Sequence, residues 1–87
     1  MRVDNIPGTI QGNGDDVIFL KGSNPDLLKA DATKDDGNFA IWGYSTNGRD
    51  LVINEIAPYS GTVILDPGTK VLVIQADKQW SLEITTR

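Results

Sequence analysis

Apolar and polar residues alternate along much of this chain with a period of two, most clearly near its end. Trp80, Leu82 and Ile84 are separated by Ser81, Glu83 and Thr85, the pattern of a strand with one face in a core and the other in water. Leu28, Ala30 and Ala32 alternate with Lys29, Asp31 and Thr33 in the same way. The run Val71-Leu72-Val73-Ile74 is apolar without a break until Gln75, which predicts a central strand covered on both faces. Turn formers punctuate the pattern at Asn13-Gly14, Gly22-Ser23-Asn24-Pro25, Asp36-Gly37, Asn47-Gly48, Pro58-Tyr59-Ser60-Gly61, Asp66-Pro67-Gly68 and Asp77-Lys78. Gly supplies positive φ without steric cost and Pro presets φ, so each break has a mechanism.

Seven strands follow, over 16–21, 27–34, 38–45, 50–57, 61–65, 70–77 and 79–86, each rich in residues that suit a pleated, half-buried surface. A helix is the weaker alternative for 25–34, where Pro25 suits a first helical position but the apolar stripe is poor. Residues 1–15 hold Ile6, Pro7, Ile10 and scattered Gly, and are expected to form an N-terminal arm or an edge strand ahead of a sandwich domain over 16–87. Seven short strands with regular turns predict an all-β, two-sheet antiparallel sandwich, immunoglobulin-like or jelly-roll. A small closed β-barrel is the alternative architecture. Trp80, Leu82, Ile84, Leu72, Ile74, Phe39 and Ile53 are the expected core.

Length and charge narrow what such a sandwich does. Eighty-seven residues make one domain with a thin core. Cysteine is absent, so neither a disulfide nor a thiolate metal site reinforces it. No stretch approaches the roughly 18 apolar residues of a membrane span, and membrane insertion is not expected. The first ten residues, MRVDNIPGTI, hold no apolar stretch of the signal-peptide kind. An extracellular or cell-surface location is therefore expected only as part of a longer exported chain. The net charge is −4, with seven acids and four bases in residues 1–43 and five acids and four bases in 44–87. No run of Lys or Arg offers the concentrated basic face that nucleic acid requires, and nucleic acid is not an expected partner.

The absence of histidine removes the usual general base at neutral pH, and with it Ser-His-Asp and Cys-His catalysis. A transition-metal site would have to be built from carboxylates alone, and a paired-carboxylate cleft has little room in so small a sandwich. Neither an enzyme nor a cofactor is expected. Gly12-Asn13-Gly14 lacks the helix and the Lys-Ser/Thr pair of a phosphate loop and reads as a tight turn. Asp35, Asp36 and Asn38 are weak candidates for calcium. Ordinary Asp and Asn turn chemistry is the stronger explanation of them, so no metal is expected.

The aromatic residues carry the functional lead. In strand 38–45, Phe39, Ile41 and Gly43 fall on one face and Ala40, Trp42 and Tyr44 on the other. If Phe39 and Ile41 face the core, Trp42 and Tyr44 form an exposed aromatic pair. If Trp42 fills the core, Phe39 moves to the sheet edge. Exposed flat aromatics stack on sugar rings or anchor protein interfaces. Trp42, Tyr44 and Tyr59 are thus the candidate binding residues, with Arg49 as a polar partner from the Asn47-Gly48 turn.

The second half of the chain, through GNFAIWGY, NEIAPYSGTVIL, DPGTKVLVIQA and KQWSLEI, resembles a β-sandwich module that recurs in bacterial surface proteins and lipoproteins. The positions that carry the likeness are Asn38-Phe39, Gly61-Thr62, Gly68-Thr69 and Trp80. The arrangement is also similar to pre-peptidase C-terminal domains and to carbohydrate-binding sandwiches. That resemblance implies a non-catalytic accessory module, of a kind that in some members holds calcium, and it transfers no ligand residues. The expected function is contact with a glycan or a protein through the aromatic face. The rival is a structural subunit, such as a decoration or filament protein, forming a homo-oligomer through edge strands and the N-terminal arm.

Overall fold

The computed structural model describes residues 2–34 and 36–86. Among these residues the chain forms nine strands: β1 (Arg2–Ile6), β2 (Gly8–Asn13), β3 (Asp16–Gly22), β4 (Pro25–Asp31), β5 (Asn38–Ser45), β6 (Gly48–Ile56), β7 (Ser60–Ile64), β8 (Val71–Gln75) and β9 (Gln79–Thr86). They build a five-stranded sheet in the order β1-β3-β8-β5-β6 and a four-stranded sheet in the order β2-β9-β4-β7. The molecule is a two-sheet sandwich, and neither sheet closes into a barrel.

Seven of the nine strands match the periodicity of the sequence to within three residues. The other two lie in residues 2–13, one at an edge of each sheet. The chain passes between sheets at Pro7, whose bond to Ile6 is cis. β2 runs antiparallel to β9, from Gly8↔Ile84 to Asn13↔Gln79. β1 runs parallel to β3, so the sheet is mixed where a wholly antiparallel one was expected. An edge strand pairs through its backbone and needs few apolar side chains. Only Ile6 and Ile10 of this segment reach the core, too few to register as alternation. The segment 25–34 is a strand as far as Asp31, because Leu28 and Ala30 point inward between β9 and β7.

The core is the space between the inner faces. All seven expected core residues are there, each at most 4% exposed. Phe39, Ile41, Ile53, Ile18, Leu72 and Ile74 from the larger sheet meet Leu28, Trp80, Leu82, Ile84 and Ile10 from the smaller. Full burial of each large apolar side chain is worth roughly 1.5–3 kcal/mol, so a core of this size depends on every member. Trp80 pairs with Gly12 across β2 and β9. A Cβ at Gly12 would run into the indole ring, so glycine is what lets the ring lie there. The indole N–H then donates to the Gly14 carbonyl at 2.8 Å.

β8 departs from its sequence in one respect. It is central, between β3 and β5, and Leu72 and Ile74 are fully buried beneath it. Val71 and Val73, on the other side, are only half-buried, and among the described residues no second layer lies over them.

Candidate functional site

The open side of β8 belongs to a larger surface. Strand register lines up the outward residues of the five-stranded sheet into two cross-strand rows. Val3, Phe19, Val71, Tyr44 and Arg49 form one, through Val3↔Phe19, Phe19↔Val71, Tyr44↔Val71 and Tyr44↔Arg49. Val17, Val73, Trp42 and Leu51 form the other, through Val17↔Val73, Trp42↔Val73 and Trp42↔Leu51. Eight of these nine residues are apolar or aromatic. Val3, Leu51, Phe19 and Tyr44 are between 37% and 64% exposed. Side chains on adjacent strands lie about 4.8 Å apart, so the stripe runs roughly 19 Å across the sheet.

β5 is what sets the aromatics on this face. Phe39 and Ile41 are fully buried, and Gly43 packs inward against Val52 and Thr69. Alternation therefore sends Ala40, Trp42 and Tyr44 outward. A bulge between Ile41 and Trp42 shifts the register against β6, so that Trp42 stands opposite Leu51 and Ile41 opposite Ile53. The guanidinium of Arg49 lies over the Trp42 ring, with Cζ 4.6 Å from the ring centroid, within the range of a cation–π contact. Trp42 is half-buried as a result, flanked by Val73 and Leu51 and capped by Arg49.

Trp42, Tyr44 and Arg49 are thus brought together, and Tyr59 does not join them. Tyr59 sits between β6 and β7 and stacks on Phe39, with centroids 6.1 Å apart and ring planes at 29°. Phe39 points to the opposite side of β5 from Trp42, so Tyr59 packs against the core. Val3, Val17, Phe19, Leu51, Val71 and Val73 are members of the face that the aromatic pattern alone did not single out. For Val71, Val73, Val17 and Phe19 the signal was present in the sequence, in the unbroken apolar run Val71-Leu72-Val73-Ile74 and in the outward pair of β3.

Of the weak calcium candidates, Asp35 lies outside the described residues. The Asp36 carboxylate is 2.8 Å from the Lys78 ammonium, and Asn38 opens β5 opposite Ile56. Among the described residues no three carboxylates gather as a metal group would require.

The outward face of the four-stranded sheet is more polar than its counterpart, with one row, Ile64, Leu27 and Thr85, leaving two apolar side chains exposed at one end. Thr9, Glu83, Lys29 and Thr62 align across it, and Gln11, Ser81, Asp31 and Ser60 form the next row. A cleft of about 590 Å³ opens at one end, lined by Gln11, Asn13, Gln79, Ser81, Asp31 and Lys34, with Trp80 in its wall. The Asp31 carboxylate accepts from the Thr33 backbone N–H at 3.0 Å and from its hydroxyl at 2.8 Å. Both bonds favour the charged form and hold the Asp31 pKa below its ordinary value, the backbone bond most strongly.

No family model and no curated protein matches this chain. Its fold is similar to that of the pre-peptidase C-terminal domain of a collagenase from Bacillus anthracis, with a TM-score of 0.66 at 12% identity, over 97% of this chain and 93% of that one. It is also similar to a carbohydrate-binding module found in a sugar cane soil metagenome, solved with cellopentaose and gadolinium ion. There the TM-score is 0.52 at 13% identity, over 100% of this chain and 91% of that one. Both are β-sandwich structures, in line with the resemblance carried by the second half of the sequence. At such identities the likeness is one of fold.

Proposed function

We propose that this chain is a non-catalytic accessory module of a bacterial surface or extracellular protein, working by contact through the outer face of its five-stranded sheet. The observation that supports this reading is the pair of apolar rows with no layer over them. A contiguous apolar patch of about 300–600 Å² is the largest that a small monomer usually carries, and such patches are often functional. Protein is the favoured partner on this face. Trp42 is bordered by Val73 and Leu51, with Arg49 over its ring, whereas sugar stacking needs a bare ring flanked by hydrogen-bonding groups. The lack of histidine and the similarity to two accessory-type sandwiches support the non-catalytic part of the reading.

The test compares the two tryptophans. Trp42→Ala is expected to weaken partner contact by about 2 kcal/mol or more while sparing the fold, as an interface hot spot does. Trp80→Ala is expected to cost about 3–5 kcal/mol of stability, as large-to-small core changes do. Thermal and denaturant melts of both variants check this. Equal damage from both would make Trp42 a core residue and remove the site.

A glycan is the second reading, and it belongs to the other sheet. Its support is the cleft beside Trp80, where three amide side chains and a serine hydroxyl offer donors and acceptors to a hydroxyl-rich ligand. One similar fold was solved with cellopentaose. Titration calorimetry with cellopentaose should then show binding that Gln79→Ala weakens and Trp42→Ala leaves alone. Absence of heat at millimolar sugar would dismiss the glycan reading.

A further inference from the structure

The outer face of the five-stranded sheet has an internal symmetry. A line across the sheet joins Ile18, Leu72, Gly43 and Asp50, through Ile18↔Leu72, Gly43↔Leu72 and Gly43↔Asp50. On four of the five strands the outward residues flank this line in pairs: Val17 and Phe19 on β3, Val73 and Val71 on β8, Trp42 and Tyr44 on β5, Leu51 and Arg49 on β6. One more pair extends the pattern. Lys21, within β3, and Asp15, in the bend just before it, both lie three residues from Ile18 and are exposed. From Asp15 to Lys21 the odd-numbered positions thus read acid, apolar, apolar, base.

Such a face is complementary to itself. A two-fold axis along the line lays two sheets face to face with their strands reversed, which sets Asp15 of one copy opposite Lys21 of the other, twice. Val17 then meets Phe19, and Trp42 meets Tyr44. Shape agrees with charge. A shallow hollow of about 300 Å³ opens between Asp15, Val17, Val73 and Gln75 on one side of the line. Phe19, the prominent side chain of β3, stands at the mirrored position on the other side, 39% exposed. The axis therefore carries Phe19 of each copy over the hollow of its partner, with Lys21 directed at Asp15.

We infer that the occupant of this face is a second copy of the chain, forming an isologous two-fold dimer. The inference rests on the reading of this face as a contact surface and names its partner. Two sheets packed in this way stand about 10 Å apart with strands within about 30° of alignment, an ordinary sandwich geometry. The molecule measures 32 by 23 by 23 Å, so one face covers roughly 700 Å² at most, just under the 800 Å² per partner of a standard stable interface. The dimer is accordingly concentration-dependent.

Sedimentation equilibrium over a concentration series tests it at low and high salt. The wild-type chain should pass from its 9.4 kDa monomer to twice that mass, with weaker association at high salt. Lys21→Glu should weaken association about tenfold, because it sets two carboxylates against each other. Asp15→Lys should do the same by opposing two ammonium groups. The double exchange should restore association to near the wild-type value. Asp15 also accepts a bond from the Ala76 N–H at 2.9 Å, so circular dichroism first establishes that its variants fold. If they do not, Val17→Cys mixed with Phe19→Cys provides the second measurement in this cysteine-free chain. A short bismaleimide should join the two variants faster than it joins either to itself. A wild-type chain that stays monomeric at every concentration overturns the dimer, as does a folded double exchange that fails to restore it. In that case a folded Trp42→Ala keeps the contact surface itself in place, whereas an unfolded Trp42→Ala removes the surface and the dimer together.

Discussion

Trp80 and Trp42 stand in strands with the same alternation, and their neighbours decide what each does. Trp80 faces inward over Gly12 and ties its indole to the Gly14 carbonyl. Trp42 faces outward beneath Arg49. The space for Trp80 is the more sharply defined. Gly12→Ala puts a methyl group into the indole ring, and overpacking of this kind typically costs about 1–3 kcal/mol. A denaturant melt of Gly12→Ala should show that loss; at Gly14, by contrast, an added Cβ would meet no atom within 4 Å, and any cost of Gly14→Ala comes from its positive φ of 80° instead. Asp31 supports a second prediction at this scale. Its titration midpoint, followed by carboxyl carbon NMR, should fall below the ordinary 3.8. Thr33→Ala removes the hydroxyl bond and keeps the backbone one, so the midpoint should rise part of the way back. The sign follows from the lowered folded-state value: the preference for the charged form is present above the ordinary carboxylate range and is lost as pH falls through the lowered midpoint.

At the scale of elements, sequence and structure agree where alternation is strong and part where pairing is through the backbone. β9 and β4 announce themselves through Trp80, Leu82 and Ile84 and through Leu28 and Ala30. β1 and β2 do not, since only Ile6 and Ile10 mark them. Half of the contact face was visible in the same way. The outward direction of Trp42 and Tyr44 followed from Phe39 and Ile41, and β8 showed two apolar faces. What period-two reasoning along single strands does not supply is register, and register is what places Phe19, Val71 and Tyr44 in one row. Nor does it supply the bulge that sets Trp42 opposite Leu51, or the stacking that draws Tyr59 towards the core. The loop that carries Asp36 gives a prediction of its own. A bound ion would stabilise the fold by mass action. With Asp36 paired to Lys78, millimolar calcium or a chelator should leave the melting temperature nearly unchanged. A rise of several degrees that Asp36→Asn abolishes would reverse that expectation.

The whole molecule presents two unlike surfaces on opposite sides of a thin core, one with two apolar rows and one mostly polar with Ile64 and Leu27 at an end. Its connectivity bears on something other than binding. In the four-stranded sheet β9 lies between β2 and β4, and its pairing with β2 joins Gly8 to Ile84. β9 is also the ninth of the nine strands in chain order. During synthesis the five-stranded sheet has all its strands once β8 emerges, whereas at that moment β2 has no partner and β4 has only β7. The second sheet, and the Trp80 side of the core, must wait for the final strand. Closing a loop of such length carries a large entropic cost before any contact repays it. Folding of this domain should therefore be completed only after β9 has left the ribosome, and chains stalled before Gln79 should remain sensitive to protease along β2.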